Sequence, residues 1–414
     1  MSEFENRVII SKDGRRITQQ LKEEAKEAAQ SWSSLTLSKN LSRLLGSYKY
    51  RIPHINDEKL VGVLPRDEWL EEAGTDCKPA IFYCTWYGAG DKVNLEFIKT
   101  QLKAIKEYQL SIDNFIIDAG WATRPGDWLS VDKKKFPNGL KEATQLLEEA
   151  GIEPWIWWGL YNVDKKSELV KKHPDWLVKN EKTKKPISFG YLSAGLFPPH
   201  YFVDPRIAAV KDYFKEVRGK LKEWGFKGVK VDFLTDLFLI PGMDKQKAND
   251  LIHEDLKNFK NDGFKVLACG CPFSAAVGVT DFFRITNDSG VPEKVVFPKR
   301  TNNEKNRPFF KEINRQLVGG VVRGIDRGEL TKKIGIIPDP DMIYFENIYK
   351  GDVKRLIRTQ KRTIDNRGCL TIGGNLSRLN PNQIESLKNL EGQFRQEQAM
   401  RARITKFLQS LVNQ

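Results

Sequence analysis

Three aspartates, Asp118, Asp232 and Asp288, come at or just after short apolar runs that have the composition of buried β-strands. Side chains two residues apart on a strand share a face, so Lys230 points the same way as Asp232. By the same alternation, Arg284 reaches the side of Asp288 if the chain stays extended between them. Buried charges are costly unless they are paired or used, so these side chains are candidates for chemistry.

The chemistry that fits two such carboxyls is cleavage of a glycosidic bond. One carboxylate attacks the sugar and one carboxylic acid protonates the leaving oxygen, and enzymes that retain the anomeric configuration hold the two about 5–5.5 Å apart. We expect Lys230 to keep Asp232 ionised as the nucleophile, and a dry setting to raise the pKa of Asp288 so that it starts as the acid. For one acid alone, capping a helix or pairing with a barrel arginine is the better interpretation. Three at strand ends, two of them beside a cation, favour catalysis.

Tryptophans are concentrated at strand ends and in the loop after the second strand. They are Trp86, Trp121, Trp128, Trp155, Trp157 and Trp158. An aromatic face suits the apolar face of a pyranose, so these rings are candidates for sugar binding. Core packing is the alternative, and it applies to two or three of them because tryptophan is usually largely buried.

Strands and amphipathic helices alternate from Ala80 onward, which predicts a parallel sheet, and eight such units favour closure into a (β/α)8 TIM barrel of the α/β class. The carboxyl ends of barrel strands meet at one rim, where catalytic groups lie. The predicted strands are 81–86, 115–118, 154–158, 226–232, 265–269, 282–286, 342–345 and 369–372. We divide the chain into an N-terminal extension (1–79), the barrel (80–380) and a polar C-terminal helix (381–414) that docks through Ile404, Leu408 and Leu411.

The composition favours a cytoplasmic enzyme without membrane contact. None of the 414 residues belongs to an apolar stretch of the ~18 residues that a membrane span needs, and the N-terminus lacks the pattern of a secretory signal. Five cysteines, an odd number, fit reduced thiols, and Cys269 and Cys271 lack companion ligands for zinc. The net charge of +14 raises nucleic acid as a partner. Because the lysines alternate with glutamates on helices and no binding motif accompanies them, we expect a solvated surface instead.

Ten short segments, spread over residues 80–380, carry a further signal in their number, order and spacing. They are 85–87 (TWY), 117–121 (IDAGW), 126–128 (GDW), 136–141 (FPNGLK), 155–158 (WIWW), 173–177 (HPDWL), 229–232 (VKVD), 269–272 (CGCP), 284–288 (RITND) and 338–341 (PDPD). With these segments the chain resembles glycoside hydrolase family 36, the melibiase group, and its relatives in family 27 of the same clan.

The resemblance implies a retaining α-galactosidase-like enzyme that acts on an oligosaccharide or glycoside and uses no metal and no organic cofactor. Asp232 would be the nucleophile and Asp288 the acid/base. The residues implied to bind the substrate are Trp86, Asp118, Lys230 and Arg284. Trp121, Trp128, Trp157 and Cys269 are further candidates for substrate binding.

The chain departs from the family at Ala119, which stands where the family usually carries a second acid, so one contact to a sugar hydroxyl is missing. The chain also lacks the length for the family's flanking β-domains. The alternatives are an α-N-acetylgalactosaminidase, glycosyl transfer through the same intermediate, and a carbohydrate-binding barrel without catalysis. The last of these predicts loss of one of the two acids, and both are present. The number of subunits, a homo-oligomer included, is open.

Overall fold

Eight parallel strands form the centre of the fold, and most are followed by a helix. The computed structural model describes residues 65–187, 200–286, 288–289, 331, 334–345, 350–365 and 367–412, with the short strands Ile9–Ile10 and Arg16–Ile17. The barrel strands are β1 (Ile81–Cys84), β2 (Asn114–Ile117), β3 (Glu153–Gly159), β4 (Gly228–Asp232), β5 (Lys265–Ala268), β6 (Phe282–Arg284), β7 (Ile337–Asp339) and β8 (Leu370–Ile372). The helices are α1 (Asp67–Glu71), α2 (Trp86–Ala89), α3 (Leu95–Glu107), α4 (Leu140–Glu149), α5 (Glu168–Lys172), α6 (Ala208–Glu223), α7 (Lys245–Asn261), α8 (Phe273–Ala276), α9 (Lys350–Asp365) and α10 (Pro381–Val412).

The strands pair in the order β7-β6-β5-β4-β3-β2-β1-β8, and every pair is parallel. The two end strands also meet. The amide of Cys369 donates to the carbonyl oxygen of Pro338 at 2.9 Å, and Ile343 pairs with Ile372. The sheet therefore curves into a nearly closed barrel, and the predicted (β/α)8 fold is confirmed.

Aromatic side chains pack between the strands near their amino-terminal ends. The rings of Phe82, Trp155 and Phe282 meet each other edge-on, with centroids 5.1–5.6 Å apart. Trp155 also lies across Gly228 at the start of β4, where a Cβ atom would come within 2.1 Å of the indole. Only glycine leaves that space free. This contact fixes the position of the strand that carries Lys230 and Asp232.

The seventh strand differs from the prediction. The apolar residues 342–345 favoured a strand there, whereas β7 is Ile337–Asp339. Proline cannot donate to a β-ladder, so a strand that contains Pro338 is hard to identify from local sequence. In the barrel Pro338 pairs with Phe283 of β6, and its carbonyl oxygen accepts from Cys369, so no donor is needed at this position.

The predicted C-terminal helix is confirmed as α10, but it docks through other residues than expected. Leu387, Leu390 and Phe394 are buried, whereas Ile404 is 50% exposed. The first half of the helix is held to the barrel because Arg395 also reaches Asp113, just before β2, at 2.8 Å. The side chains of Leu408 and Leu411, the other two predicted docking residues, are not among those that the structure describes. Most of the N-terminal extension also lies outside the described residues. Within the described ranges no helix is long and apolar enough to cross a membrane.

Candidate active site

The predicted acids lie at one end of the barrel. Asp118 directly follows β2, Asp232 is the last residue of β4, and Asp288 lies just beyond the end of β6. These are carboxyl ends of strands, the rim where the chemistry of TIM barrels takes place. The charges of Asp232, Lys230 and Arg284 each act on the pKa of Asp288.

Two hydrogen bonds fix the direction of the Asp232 carboxylate. The indole N–H of Trp157, on β3, donates to Oδ2 at 3.0 Å, and the amide of Phe233 donates to Oδ1 at 2.8 Å. Phe233 has φ of 62°, a left-handed conformation that non-glycine residues rarely adopt and that often marks a functional site. Gly270 closes a further side, because a Cβ atom there would lie 3.3 Å from Oδ1 of Asp232. The carboxylate is thus a fixed, partly exposed group.

Lys230 forms its ion pair with Asp118 rather than with Asp232, which differs from the prediction. Its Nζ donates to Oδ2 of Asp118 at 2.7 Å, the Cys84 thiol donates to the same oxygen at 3.1 Å, and both charged side chains are buried. Burial alone would lower the pKa of Lys230, but its charged neighbours, Asp118 first, raise it well above its ordinary value. Strand alternation predicted the side of β4 on which Lys230 lies. It did not predict its partner, because Asp118 follows another strand, β2.

Replacing Lys230 by methionine is expected to destabilise the fold by about 3–5 kcal/mol, because Asp118 would remain as an unpaired buried carboxylate. Adding Asp118→Asn should recover much of this loss, since a neutral amide needs no counter-ion. Free energies of unfolding from urea titrations of the single and double variants measure the effect. A Lys230→Met protein as stable as the wild type would contradict the buried ion pair.

Arg284 is held mainly by two acids that the sequence reasoning did not assign. Its Nε lies 2.7 Å from Oδ2 of Asp339 and its Nη1 lies 2.8 Å from Oδ1 of Asp341, and all three side chains are buried. Asp288 is more distant, at 3.8 Å from Nη1. The signal for the two acids was present, because a buried arginine needs counter-ions and the segment 338–341 belonged to the family-like pattern. Their placement depends on the register that sets Arg284 beside Asp339.

Asp288 combines a raised pKa with access to solvent. Desolvation by the surrounding protein raises the pKa most, Asp341 and then Asp232 add to it, and Arg284 opposes them. The resulting pKa is about 7. The side chain is 60% exposed, so a sugar oxygen or water can reach it. A carboxyl that is protonated near neutral pH and is reachable is what general acid catalysis requires.

The candidate tryptophans divide between the rim and the layer behind it. Trp157 bonds to Asp232, and Trp86, just after β1, is half-buried. Trp121 and Trp128 are buried with their centroids 5.7 Å apart, and Trp128 lies 6.0 Å from Trp157. The Trp121 indole donates to the carbonyl of Trp157 at 2.9 Å. For Trp121 and Trp128, packing behind Trp157 fits this placement better than sugar contact does, as the alternative from the sequence allowed.

Cys269 directly follows β5, at the same end of the barrel as the candidate acids. Burial, and then the charge of Asp232, raises the pKa of its thiol well above the ordinary value. The sulfur therefore stays protonated and can act only as a weak donor or a packing surface. Among the described residues, no three His, Cys, Asp or Glu side chains are arranged to hold a metal ion.

Sequence similarity to a known protein family lies in the amino-terminal part of the barrel. Residues 70–191 match the family model described as Melibiase. The alpha-galactosidase Mel36A of Lactobacillus acidophilus is 35% identical over 92 residues, which are 20% of this chain and 12% of that protein. An alpha-galactosidase of Escherichia coli is 30% identical over 120 residues, 27% of this chain and 16% of that one. The resemblance stated from the sequence motifs is therefore confirmed for this region.

Solved structures extend the likeness to 79% of the chain. TtGalA, an alpha-galactosidase of Thermus thermophilus, superposes with a TM-score of 0.59 at 19% identity, over 79% of this chain and 65% of that one. The alpha-galactosidase AgaA of Geobacillus stearothermophilus gives 0.53 at 15% identity, over 79% and 42%. At such identities the superpositions establish the shared fold. The chain spans less than a fifth of the length of these curated relatives and less than two thirds of these structures.

Proposed function

We propose that this chain, whose residues 70–191 match the melibiase family, is a retaining α-glycosidase that acts on terminal α-galactosides. The observation that carries the proposal is a pair of carboxyls at one barrel rim. Asp232 is oriented by Trp157, and Asp288 has a pKa of about 7. In this proposal the catalytic unit is the barrel, residues 80–380, with the extension 1–79 before it and the segment 381–414 after it.

The reaction has two steps. Asp232 attacks the anomeric carbon while Asp288 gives its proton to the leaving oxygen, so the glycosidic C–O bond breaks as an ester bond to Asp232 forms. Asp288, now a carboxylate, then takes a proton from water, whose oxygen attacks the same carbon and releases Asp232. Two inversions leave the configuration unchanged. Transfer to a sugar hydroxyl would use the same second step with a different attacking oxygen.

The substrate is bound by charged groups that are already held in place. Lys230 and Asp118 form one fixed ion pair, and Arg284 is fixed by its two acids, so these groups need little reorganisation when sugar hydroxyls replace water. Trp86 supplies an aromatic face at the same rim. The Thermus thermophilus enzyme was solved with p-nitrophenyl α-D-galactopyranoside and with stachyose, which supports an α-galactose-terminated oligosaccharide as the substrate class.

A panel of p-nitrophenyl α- and β-glycosides of galactose, N-acetylgalactosamine and glucose tests the proposal. We expect cleavage of the α-galactoside, with α-galactose as the first product seen by ¹H NMR. A preference for the N-acetylgalactosaminide would favour the alternative function, an α-N-acetylgalactosaminidase. Ala119 bears on this choice, because it stands where the family carries an acid that contacts a sugar hydroxyl. Sugar binding without cleavage of any substrate would contradict an enzyme and favour a binding barrel.

A further inference from the structure

A fourth acid, Asp341, is built into the surroundings of Asp288, and the two reaction steps give it no role. Its Oδ1 lies 2.8 Å from Nη1 of Arg284. Its Oδ2 accepts the amide of Ser289 at 2.5 Å and the hydroxyl of Tyr87 at 2.9 Å. Ser289 directly follows Asp288, so Asp341 holds the backbone that carries the proposed acid.

The backbone of Asp341 is itself in an unusual conformation that its neighbours stabilise. Its φ is 67°, in the left-handed region. Its amide donates to Oδ1 of Asp339 at 3.2 Å, and its carbonyl oxygen accepts from Nε2 of Gln360 at 2.6 Å. Such conformations persist where the surroundings determine them, and they are common at functional sites. The position of the Asp341 carboxylate is therefore specified from several sides.

One guanidinium serves three carboxyls in this cluster. Asp339 accepts from Arg284 and from the Thr371 hydroxyl at 2.7 Å, and Asp341 accepts from the two donors described above. Within the described part of the chain, Asp288 has only the 3.8 Å contact to Arg284. Because like charges this close oppose each other's ionisation, a proton is held most readily by the carboxyl with the weakest donors, which is Asp288.

The other charges around Asp288 act in both directions. Apart from desolvation, Asp341 makes the largest contribution that raises its pKa, and Asp232 adds to it, whereas Arg284 and Lys230 lower it. Cys269, whose own pKa is raised by burial, contributes no negative charge at neutral pH. Removal of the charge at Asp341 therefore changes the largest single charge effect on Asp288.

We propose that Asp341 is a positioning residue that fixes the Asp288 segment against Arg284 and, through its negative charge, keeps the Asp288 carboxyl protonated. The transfer of this proton to a leaving oxygen rests on the proposed glycosidase function. The coupling between the two carboxyls is a property of the site itself, so the two claims can be tested apart.

The experiment is a ¹³C NMR titration of aspartate carboxyl carbons in the full-length wild type and in Asp341→Asn. The resonance of Asp288 is identified by its loss in Asp288→Asn. We expect its midpoint to fall by about one unit or more in Asp341→Asn. Asp255 supplies an internal reference, because its pKa is also about 7, raised mainly by burial, and its partner is Tyr161 rather than this cluster. An Asp288 midpoint that stays in place or rises in Asp341→Asn would overturn the proposal.

Two more variants separate charge from packing. Tyr87→Phe removes one hydrogen bond to the same oxygen of Asp341 but keeps the charge, so the Asp288 midpoint should stay close to that of the wild type. A shift as large as that of Asp341→Asn would show that packing is the cause, and would sink the charge argument. If Asp341→Asn fails to fold, Asp339→Asn takes its place. It frees Arg284 for Asp288 and should also lower the midpoint, and an unmoved midpoint would count against the shared cation.

Kinetics distinguish this inference from the proposed function. If the wild type is active, its kcat/KM should fall at high pH as Asp288 loses its proton. In Asp341→Asn this alkaline limb should begin at a lower pH, displaced by the same interval as the NMR midpoint. Each unit of displacement lowers kcat/KM about tenfold at a given pH on the limb. Turnover with an unmoved limb would refute the role of Asp341 and leave the glycosidase intact. A shifted NMR midpoint in a protein that cleaves no glycoside would establish the coupling and refute the proposed function.

Discussion

Replacement of Asp232 by alanine is expected to lower kcat/KM for p-nitrophenyl α-galactopyranoside by roughly 10⁴-fold or more, because the covalent intermediate can no longer form. Azide, which fits the space left by the carboxylate, should restore some turnover with a β-galactosyl azide as the product. That product has the inverted configuration, since only one displacement takes place. Recovery of the α-azide, or wild-type activity without azide, would rule out Asp232 as the nucleophile.

Asp281 offers a matched control at the other end of a barrel strand. This buried carboxyl directly precedes β6 and bonds to Lys260 at 2.6 Å and to the Thr75 hydroxyl at 2.6 Å. Asp281→Asn should lower the melting temperature, because it weakens the ion pair of a buried carboxylate with a partly exposed lysine. It should leave kcat close to the wild-type value, since it lies away from the rim. A loss of activity as large as that of Asp232→Ala would mean that barrel integrity, rather than chemistry, explains both results.

Replacement of Asp288 by alanine is expected to separate substrates by their leaving groups. A dinitrophenyl galactoside needs little proton transfer and should react nearly as before in the first step, whereas raffinose or methyl α-galactoside should lose about 10²–10⁴-fold in kcat/KM. Azide should here give the α-galactosyl azide, because Asp232 still forms the first bond. Equal losses for good and poor leaving groups would contradict the role of Asp288 as the acid.

The pH dependence supplies an independent check on the same residue. The acid must start protonated, and the pKa of Asp288 is about 7. In the wild type, kcat/KM for a poor leaving group should therefore fall about tenfold per pH unit above that value. In Asp288→Ala this alkaline limb should be absent, and its persistence would assign the limb to another group.

Strand alternation was enough to predict where the charged groups emerge. The positions of Lys230, Asp232 and Arg284 at the ends of β4 and β6 follow from the period of two and from the barrel's parallel order. β7 was not predicted at its true position. It contains Pro338, which has no backbone N–H to donate, and only the arrangement of its neighbours in the barrel makes that donor unnecessary. Local sequence could not supply those neighbours.

Pairings between distant segments were the part that sequence reasoning missed. Lys230 pairs with Asp118, which follows a strand that is not adjacent to β4 in the sheet, and Arg284 pairs with Asp339 through the register of β6 and β7. The raised pKa of Asp288 was expected from a dry setting. Desolvation is the largest cause, but the contribution of Asp341 depends on a contact that no local pattern reveals. The partners of buried charged residues can thus be assigned only when the fold is known.

The most direct measurement is covalent trapping with a 5-fluoro-α-galactosyl fluoride, whose good leaving group allows the first step while the fluorine at C5 slows the second. Mass spectrometry of the intact protein should gain one fluorogalactosyl group, and peptide mapping should place it on Asp232. The Asp232→Ala protein should gain nothing. Attachment to another side chain, Asp288 included, or turnover of α-galactosides by a protein that is never labelled, would contradict the account of two carboxyls with Asp232 as the nucleophile.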